Sequence, residues 1–149
     1  MKREPCPGPF LSLLDSRADR VSVEGGDLVF FFPQGIRISC RHPENTKGIS
    51  TFTEQAELVF RSARLSYCSL FREKRLFGRV ISVKRERLTV SELSDRLCRG
   101  AVLEFTSEQL SPPLPLLTAR LISRRENTDC QIEIECGEVQ IGWEGIRTE

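Results

Sequence analysis

The sequence lacks the clustered ligands that metal sites need. Its 149 residues contain one histidine, His42, and no pair of cysteines has C-x-x-C spacing. The six cysteines stand far apart, at positions 6, 40, 68, 98, 130 and 136. Zinc sites combine cysteine and histidine side chains at short, regular spacings. The pattern therefore predicts no metal and no cofactor, and we interpret the cysteines as reduced residues in or near the core.

Catalytic motifs are also missing. There is no nucleophile elbow and no glycine-rich phosphate loop. His42 precedes Pro43 in a segment of loop composition, where it could act as a general base for a nearby cysteine or serine. The simpler interpretation, which we adopt, is a lone surface histidine. The sequence thus predicts a protein that is not an enzyme and has no catalytic residues.

Long apolar runs and an excess of charge are absent as well. No segment approaches the roughly 20 apolar residues of a membrane helix, and the apolar residues 10–14 are too few for a signal peptide. The formal net charge is +1, so bulk charge favours neither nucleic acid nor membrane as a partner. We expect a cytoplasmic protein that does not contact membranes, in a compartment where disulfides rarely persist.

The strongest local signal in the chain lies between residues 26 and 40. Leu28 to Phe32 is an unbroken apolar run with three phenylalanines, typical of a strand buried on both faces. Pro33 and Gly35 predict a tight turn with a positive φ at Gly35. The alternation over residues 36–41 then predicts a return strand that pairs with the first one.

Two further features predict local structure. Thr89 and Glu92 have capping-box spacing before an apolar stripe that Gly100 ends, which predicts a helix of about two turns. A second short helix is predicted from residue 10, with a strand over 10–14 as the alternative. The apolar positions change parity at Gly137, which predicts a β-bulge or a tight bend there.

Short segments of alternating polarity fill most of the remaining chain. They predict a mainly β fold, either an antiparallel two-sheet sandwich or a partly closed barrel, with one or two short helices. Residues 1–9 contain three prolines and are predicted to be a flexible arm. Residues 10–149 are predicted to form a single β-rich domain.

Charge is distributed unevenly along the chain. Residues 61–87 carry nine lysines or arginines against two glutamates, whereas residues 126–149 carry seven acidic residues against one arginine. The simplest interpretation is that basic and acidic strand faces lie across from one another and pair, or that they are merely solvated. Either segment could instead form a binding surface.

The acidic segment is the first candidate for binding. Alternation predicts outward carboxylates on the last two strands, with Arg120 and Arg124 as the cations that could neutralise them. Trp143 is expected in the core, and the alternative is a position at the rim, where it could contribute to binding. The candidate residues are Glu133, Glu135, Glu138, Gln140, Trp143 and Glu144.

The basic segment is the alternative. Its cations could follow a phosphate backbone, while Tyr67, Phe71 and Phe77 could stack bases, although we expect these aromatic residues in the core. The candidate residues are Arg72, Lys74, Arg75, Lys84, Arg85 and Arg87.

Three segments carry a resemblance of pattern: GDLVFFFPQGI at 26–36, AELVF at 56–60, and residues 136–143. Together they resemble small uncharacterised bacterial β-rich proteins, some of the kind encoded as immunity proteins beside toxins. The resemblance implies binding to another protein without naming the partner. We therefore predict a protein-binding or inhibitory module that uses the acidic segment. A nucleic-acid-binding domain that uses the basic segment and a structural domain without catalytic activity are the alternatives.

Overall fold

The computed structural model describes residues 2–5 and 10–148. Strands account for 58% of the structure, and the described residues contain one short helix, α1 (Val90–Cys98). The strands, in chain order, are β1 (Lys2–Pro5), β2 (Leu11–Ser12), β3 (Arg17–Ala18), β4 (Arg20–Glu24), β5 (Asp27–Phe32), β6 (Arg37–Ile38), β7 (Thr51–Phe52), β8 (Ala56–Arg61), β9 (Arg64–Leu76), β10 (Arg79–Arg87), β11 (Val102–Gln109), β12 (Leu116–Ile122), β13 (Asn127–Glu135) and β14 (Glu138–Trp143).

The strands form three antiparallel sheets. The first has the order β1-β14-β8-β5-β4, the second has the order β10-β9-β13-β12-β11-β3, and a small third sheet has the order β2-β6-β7. One sheet curls into a half-barrel, and the arrangement is that of a β-rich sandwich. The mainly β, antiparallel fold predicted from the sequence is confirmed. Among the described residues, no helix is long and apolar enough to cross a membrane.

Strand β5 lies inside the first sheet and carries the centre of the core. Phe30 and Phe32 are fully buried, and the ring of Phe30 meets Phe60 and Phe105 edge-on, with centroids 5.9 and 6.2 Å away. Phe105 belongs to the second sheet, so these rings join the two layers. On the opposite face Phe31 is half-buried, and the guanidinium of Arg20 lies over its ring, 4.4 Å from the ring centroid. The prediction of a strand covered on both faces is confirmed.

The turn after β5 has the predicted backbone, but the predicted hairpin is wrong. Gly35 has φ +80°, and its N–H donates to the carbonyl of Phe32. The following strand, β6, pairs with β2 and β7 and not with β5. The N–H of Ile36 donates to Oγ1 of Thr53, 3.1 Å away, and the N–H of Thr53 donates back to the carbonyl of Ile36. These bonds direct the chain away from β5 and into the small sheet.

The helix α1 begins as predicted. Oγ1 of Thr89 accepts from the N–H of Glu92 at 3.1 Å, and the Glu92 carboxylate accepts from the N–H of Thr89 at 3.0 Å. The apolar stripe buries Leu93 and Leu97 against the sheets. Gly100 follows the helix with φ +103°, a conformation that favours glycine.

Two predictions near the amino terminus need correction. The short helix predicted from residue 10 is wrong, because Leu11–Ser12 is strand β2, in agreement with the alternative. Residues 2–5 of the predicted flexible arm form β1, which pairs with β14 and closes one edge of the first sheet. Residues 1, 6–9 and 149 lie outside the described residues.

The bend predicted at Gly137 is confirmed, and it carries the chain from one sheet to the other. Strand β13 belongs to the second sheet and β14 to the first. The N–H of Gly137 donates to the carbonyl of Arg61 at 3.0 Å. The apolar parity changes here because the two strands supply side chains to the core from opposite layers.

Candidate functional site

The predicted acidic residues do not form one surface. Glu133 and Glu135 lie on β13, whereas Glu138 and Gln140 lie on β14 in the other sheet. Trp143 is 1% exposed, which confirms the core position expected for it and excludes it from the candidate binding residues. Glu144 is exposed just beyond the end of β14.

Cations from the basic segment contact part of the acidic segment. Glu135 and Arg64 form an ion pair at 2.5 Å, because β9 lies beside β13. Gln140 accepts a long hydrogen bond from Arg61 on the neighbouring strand. Arg120, expected to neutralise the outward glutamates, faces Asp129 at 3.8 Å. The interpretation of paired basic and acidic strands therefore holds for part of the acidic segment.

A four-residue network fixes one end of the basic segment. Arg72 contacts Glu86 at 3.0 Å and Glu126 at 2.8 Å, and Arg96 of α1 contacts the same two carboxylates at 3.1 and 3.2 Å. The hydrogen bond from Arg72 lowers the pKa of Glu86, and the hydrogen bond to Glu86 raises the pKa of Arg72. Arg72 is thus a structural residue that joins β9 to β10 and to the β12–β13 turn, and Arg96 joins α1 to the same network.

The remaining basic segment forms a long hairpin. The turn predicted at the charged run 72–75 is wrong, because β9 continues to Leu76. The chain reverses at Phe77 and Gly78, which have φ +51° and +79°. We call residues 73–83 the hairpin arm, since every one of them is exposed. Phe77 at its tip is 96% exposed, so the prediction of a core position is wrong for it.

Five cations of this hairpin make no ion pair with any carboxylate of the described residues: Lys74, Arg79, Lys84, Arg85 and Arg87. The other cations of β9 and β10 are paired, with Arg75 held by Glu73 at 2.8 Å on its own strand. The pairing of the acidic segment therefore uses only part of the basic charge.

Two of the unpaired arginines lie against aromatic rings. The guanidinium of Arg85 is 5.2 Å from the ring centroid of Tyr67 and 5.8 Å from that of Phe71, and Arg87 is 5.9 Å from Tyr67. Arg85 also donates to Oγ of Ser69 at 2.9 Å. We call Arg85, Arg87, Tyr67 and Phe71 the arginine–aromatic face.

The rings of this face are not core residues, contrary to the prediction. Tyr67 and Phe71 are half-buried, whereas Cys68 and Leu70 on the opposite side of β9 are fully buried. The hydroxyl of Tyr67 donates to Oε1 of Gln131 at 3.3 Å, which holds the ring in place. The face therefore offers fixed rings and unpaired guanidinium groups to solvent.

His42 is not a surface residue, so that interpretation is wrong. Its side chain is 8% exposed and lies between the rings of Phe10 and Trp143. Nδ1 accepts from the N–H of Glu44, which places the proton on Nε2, and Nε2 donates to Oε1 of Glu4 at 3.0 Å. Because both nitrogens are occupied, His42 has no open position from which to act as a general base.

Comparisons of the chain with family models, with curated proteins and with solved structures found no match. The resemblance to immunity-type bacterial proteins therefore stays a prediction. The function of the chain has to be inferred from the geometry of its own residues.

Proposed function

We propose that the protein binds nucleic acid through the arginine–aromatic face and the adjoining hairpin arm. The observation that carries this proposal is the set of five unpaired cations on one hairpin, two of them in contact with Tyr67 and Phe71. Cations that neutralise phosphates supply most of the affinity of sequence-independent nucleic-acid binding. Aromatic rings and guanidinium planes beside them can stack bases.

The form of the hairpin supports binding to an anion over pairing with another protein strand. Strand β10 is the free edge of its sheet and is exposed at nearly every residue. An edge strand rich in lysine and arginine resists addition of a second, similar strand, because like charges would then face each other. A polyanion meets no such repulsion.

The acidic segment supports the protein-binding prediction less well. Glu135 and Glu126 already have cationic partners, and the other outward residues are divided between two sheets. With Trp143 buried, the segment also lacks the aromatic anchor that binding sites for proteins often contain.

The test is fluorescence anisotropy with a labelled oligonucleotide of mixed sequence at increasing salt. We expect the logarithm of the binding constant to fall linearly with the logarithm of the salt concentration. The double variant Arg85→Ala/Arg87→Ala should bind more weakly, with a slope shallower by about 1.4 to 1.8 if each arginine neutralises one phosphate.

A matched control removes the same charge elsewhere. Arg124 and Arg125 are exposed in the turn between β12 and β13, and neither makes an ion pair with a described carboxylate. Arg124→Ala/Arg125→Ala should leave affinity and slope unchanged. Equal losses in the two double variants, or no salt-dependent binding by the unaltered protein, would contradict the proposal.

A further inference from the structure

A cleft adjoins the arginine–aromatic face and is so far without a role. It has a volume of about 490 Å³ and lies where the start of β9, the end of β10 and the first residues of α1 meet. Its lining includes the apolar side chains of Leu65, Leu88 and Val90 and the ring of Tyr67. Its size falls within the range of small-molecule sites, which are mainly apolar with a few polar groups.

Two arginines line this cleft, and one of them also belongs to the arginine–aromatic face. Arg64 and Arg87 both line it, and Arg87 lies 5.9 Å from the ring centroid of Tyr67 without an ion pair. Tyr67 and Arg87 belong to the cleft and to the arginine–aromatic face at once. If the phosphates of a ligand contact Arg85 and Arg87, the group attached to those phosphates therefore lies beside the cleft.

The helix N-terminus at the cleft is not itself an anion site. The capping box occupies the N–H groups of Thr89 and Glu92 at the start of α1, and Glu92 brings a negative charge there. The cleft thus favours an uncharged, flat group, with the anion held outside by arginine.

Resting on the proposed function, we infer that the ligand is single-stranded nucleic acid and that one unstacked base enters this cleft against Tyr67. An unstacked base is flat, partly apolar and joined to a phosphate, which matches an apolar cleft with arginine beside it. A duplex must first unpair and unstack the base, which is unfavourable by a few kcal/mol. The bond from Tyr67 to Gln131 holds the ring before binding, so little side-chain entropy is lost.

The experiment compares a single-stranded oligonucleotide with a duplex of the same length and salt concentration. We expect the single strand to bind at least about tenfold more tightly. Ser66 is exposed and lines the cleft, so Ser66→Leu should fill it without changing charge. This variant should lose about tenfold in single-strand affinity, retain the salt slope and bind duplex as before.

Controls keep the inference separate from the proposal on which it rests. Ser50→Leu makes the same change at an exposed position outside the cleft and should bind like the unaltered protein. If Ser66→Leu does not fold, Tyr67→Leu tests the same contact, and Tyr67→Phe, which keeps the ring but loses its bond to Gln131, should lose less affinity than Tyr67→Leu. Salt-dependent binding of both forms with equal affinity, or full single-strand affinity with the cleft filled, would overturn this inference alone. No salt-dependent binding of either form would overturn the proposed function as well.

Discussion

The sulfur atoms of Cys68 and Cys130 lie 3.7 Å apart on the neighbouring strands β9 and β13. Both side chains are buried, at 0% and 1% exposure. The hydrogen bond between the thiols and the burial of the pair raise the pKa of Cys130 strongly. Since the thiolate is the reactive form, Cys130 should be inert in the folded protein, and burial keeps reagents away from both thiols.

Alkylation should therefore separate the cysteines into two classes. Cys40 and Cys98 are exposed and free, so they should be labelled in the native protein, whereas Cys68 and Cys130 should be labelled only after unfolding. Under denaturing, non-reducing conditions the chain should take up six labels. Peptide mass measurement checks both statements, and four or fewer labels with the mass deficit of a disulfide would contradict them.

Acid should weaken the network that joins α1 to the hairpin. The hydrogen bond from Arg72 lowers the pKa of Glu86 below its ordinary 4.5, so the stabilisation is present above pH 4.5 and is lost as the pH falls below that value. Glu86→Gln should lower the free energy of unfolding by about 0.5–1 kcal/mol at pH 7, because the network is partly exposed.

Denaturant titration at several pH values measures this difference. The loss caused by Glu86→Gln should shrink as the pH falls below 4.5, until variant and unaltered protein coincide. Glu24→Gln, at an exposed position on β4, should have no effect at any pH. A difference that stays constant down to about pH 2 would show that charge does not contribute to it.

Two glycines with positive φ should respond differently to alanine. Gly35 has φ +80°, and an added Cβ would overlap the backbone carbonyl of Thr53. Gly25 has φ +57° with open space around it. Gly35→Ala should destabilise by about 3 kcal/mol or more, from strain together with steric overlap, whereas Gly25→Ala should lose only about 1 kcal/mol. Thermal unfolding checks this, and equal losses would show that the overlap is relieved.

Alanine substitution of two phenylalanines should have opposite effects on stability, because one ring is fully buried and the other is almost fully exposed. Phe30 is fully buried between Phe60 and Phe105, so Phe30→Ala should destabilise by about 3–5 kcal/mol. Phe77 is 96% exposed, so Phe77→Ala should change stability by less than about 0.5 kcal/mol. Chemical denaturation measures both, and a large loss at Phe77 would mean that the hairpin arm packs against the domain.

Local sequence signals predicted the structure correctly where it depends only on residues close together in the chain. The capping box at Thr89 and the positive φ at Gly35 involve contacts within three residues, and both are confirmed. The pairing of β6 depends on Thr53, 17 residues from Ile36, and no local pattern specifies that partner. The mainly β class follows from alternation alone, but the division into sheets does not.

The candidate site was only partly accessible from sequence for a similar reason. Arg85 and Arg87 were named, but the rings they contact were assigned to the core, because aromatic residues in strands are usually buried. The missed signal is Phe77-Gly78. A turn placed there pairs Leu76 with Arg79, and a one-residue register shift between Val80 and Ser82 then brings Phe71 opposite Arg85 and Ser69 opposite Arg87. The charged run before it concealed the turn, because four successive charged residues are more typical of a turn than of the interior of a strand.

The most direct test of the account is to map the binding surface by NMR, following backbone amide shifts while a single-stranded oligonucleotide is added at low salt. We predict that the changes concentrate in β9 and β10, at Tyr67, Phe71, Arg85 and Arg87, and that the amides of β14 do not change. Changes centred on β14 and the outward side of β13, or no changes at millimolar oligonucleotide, would contradict the assignment of this face as the nucleic-acid site.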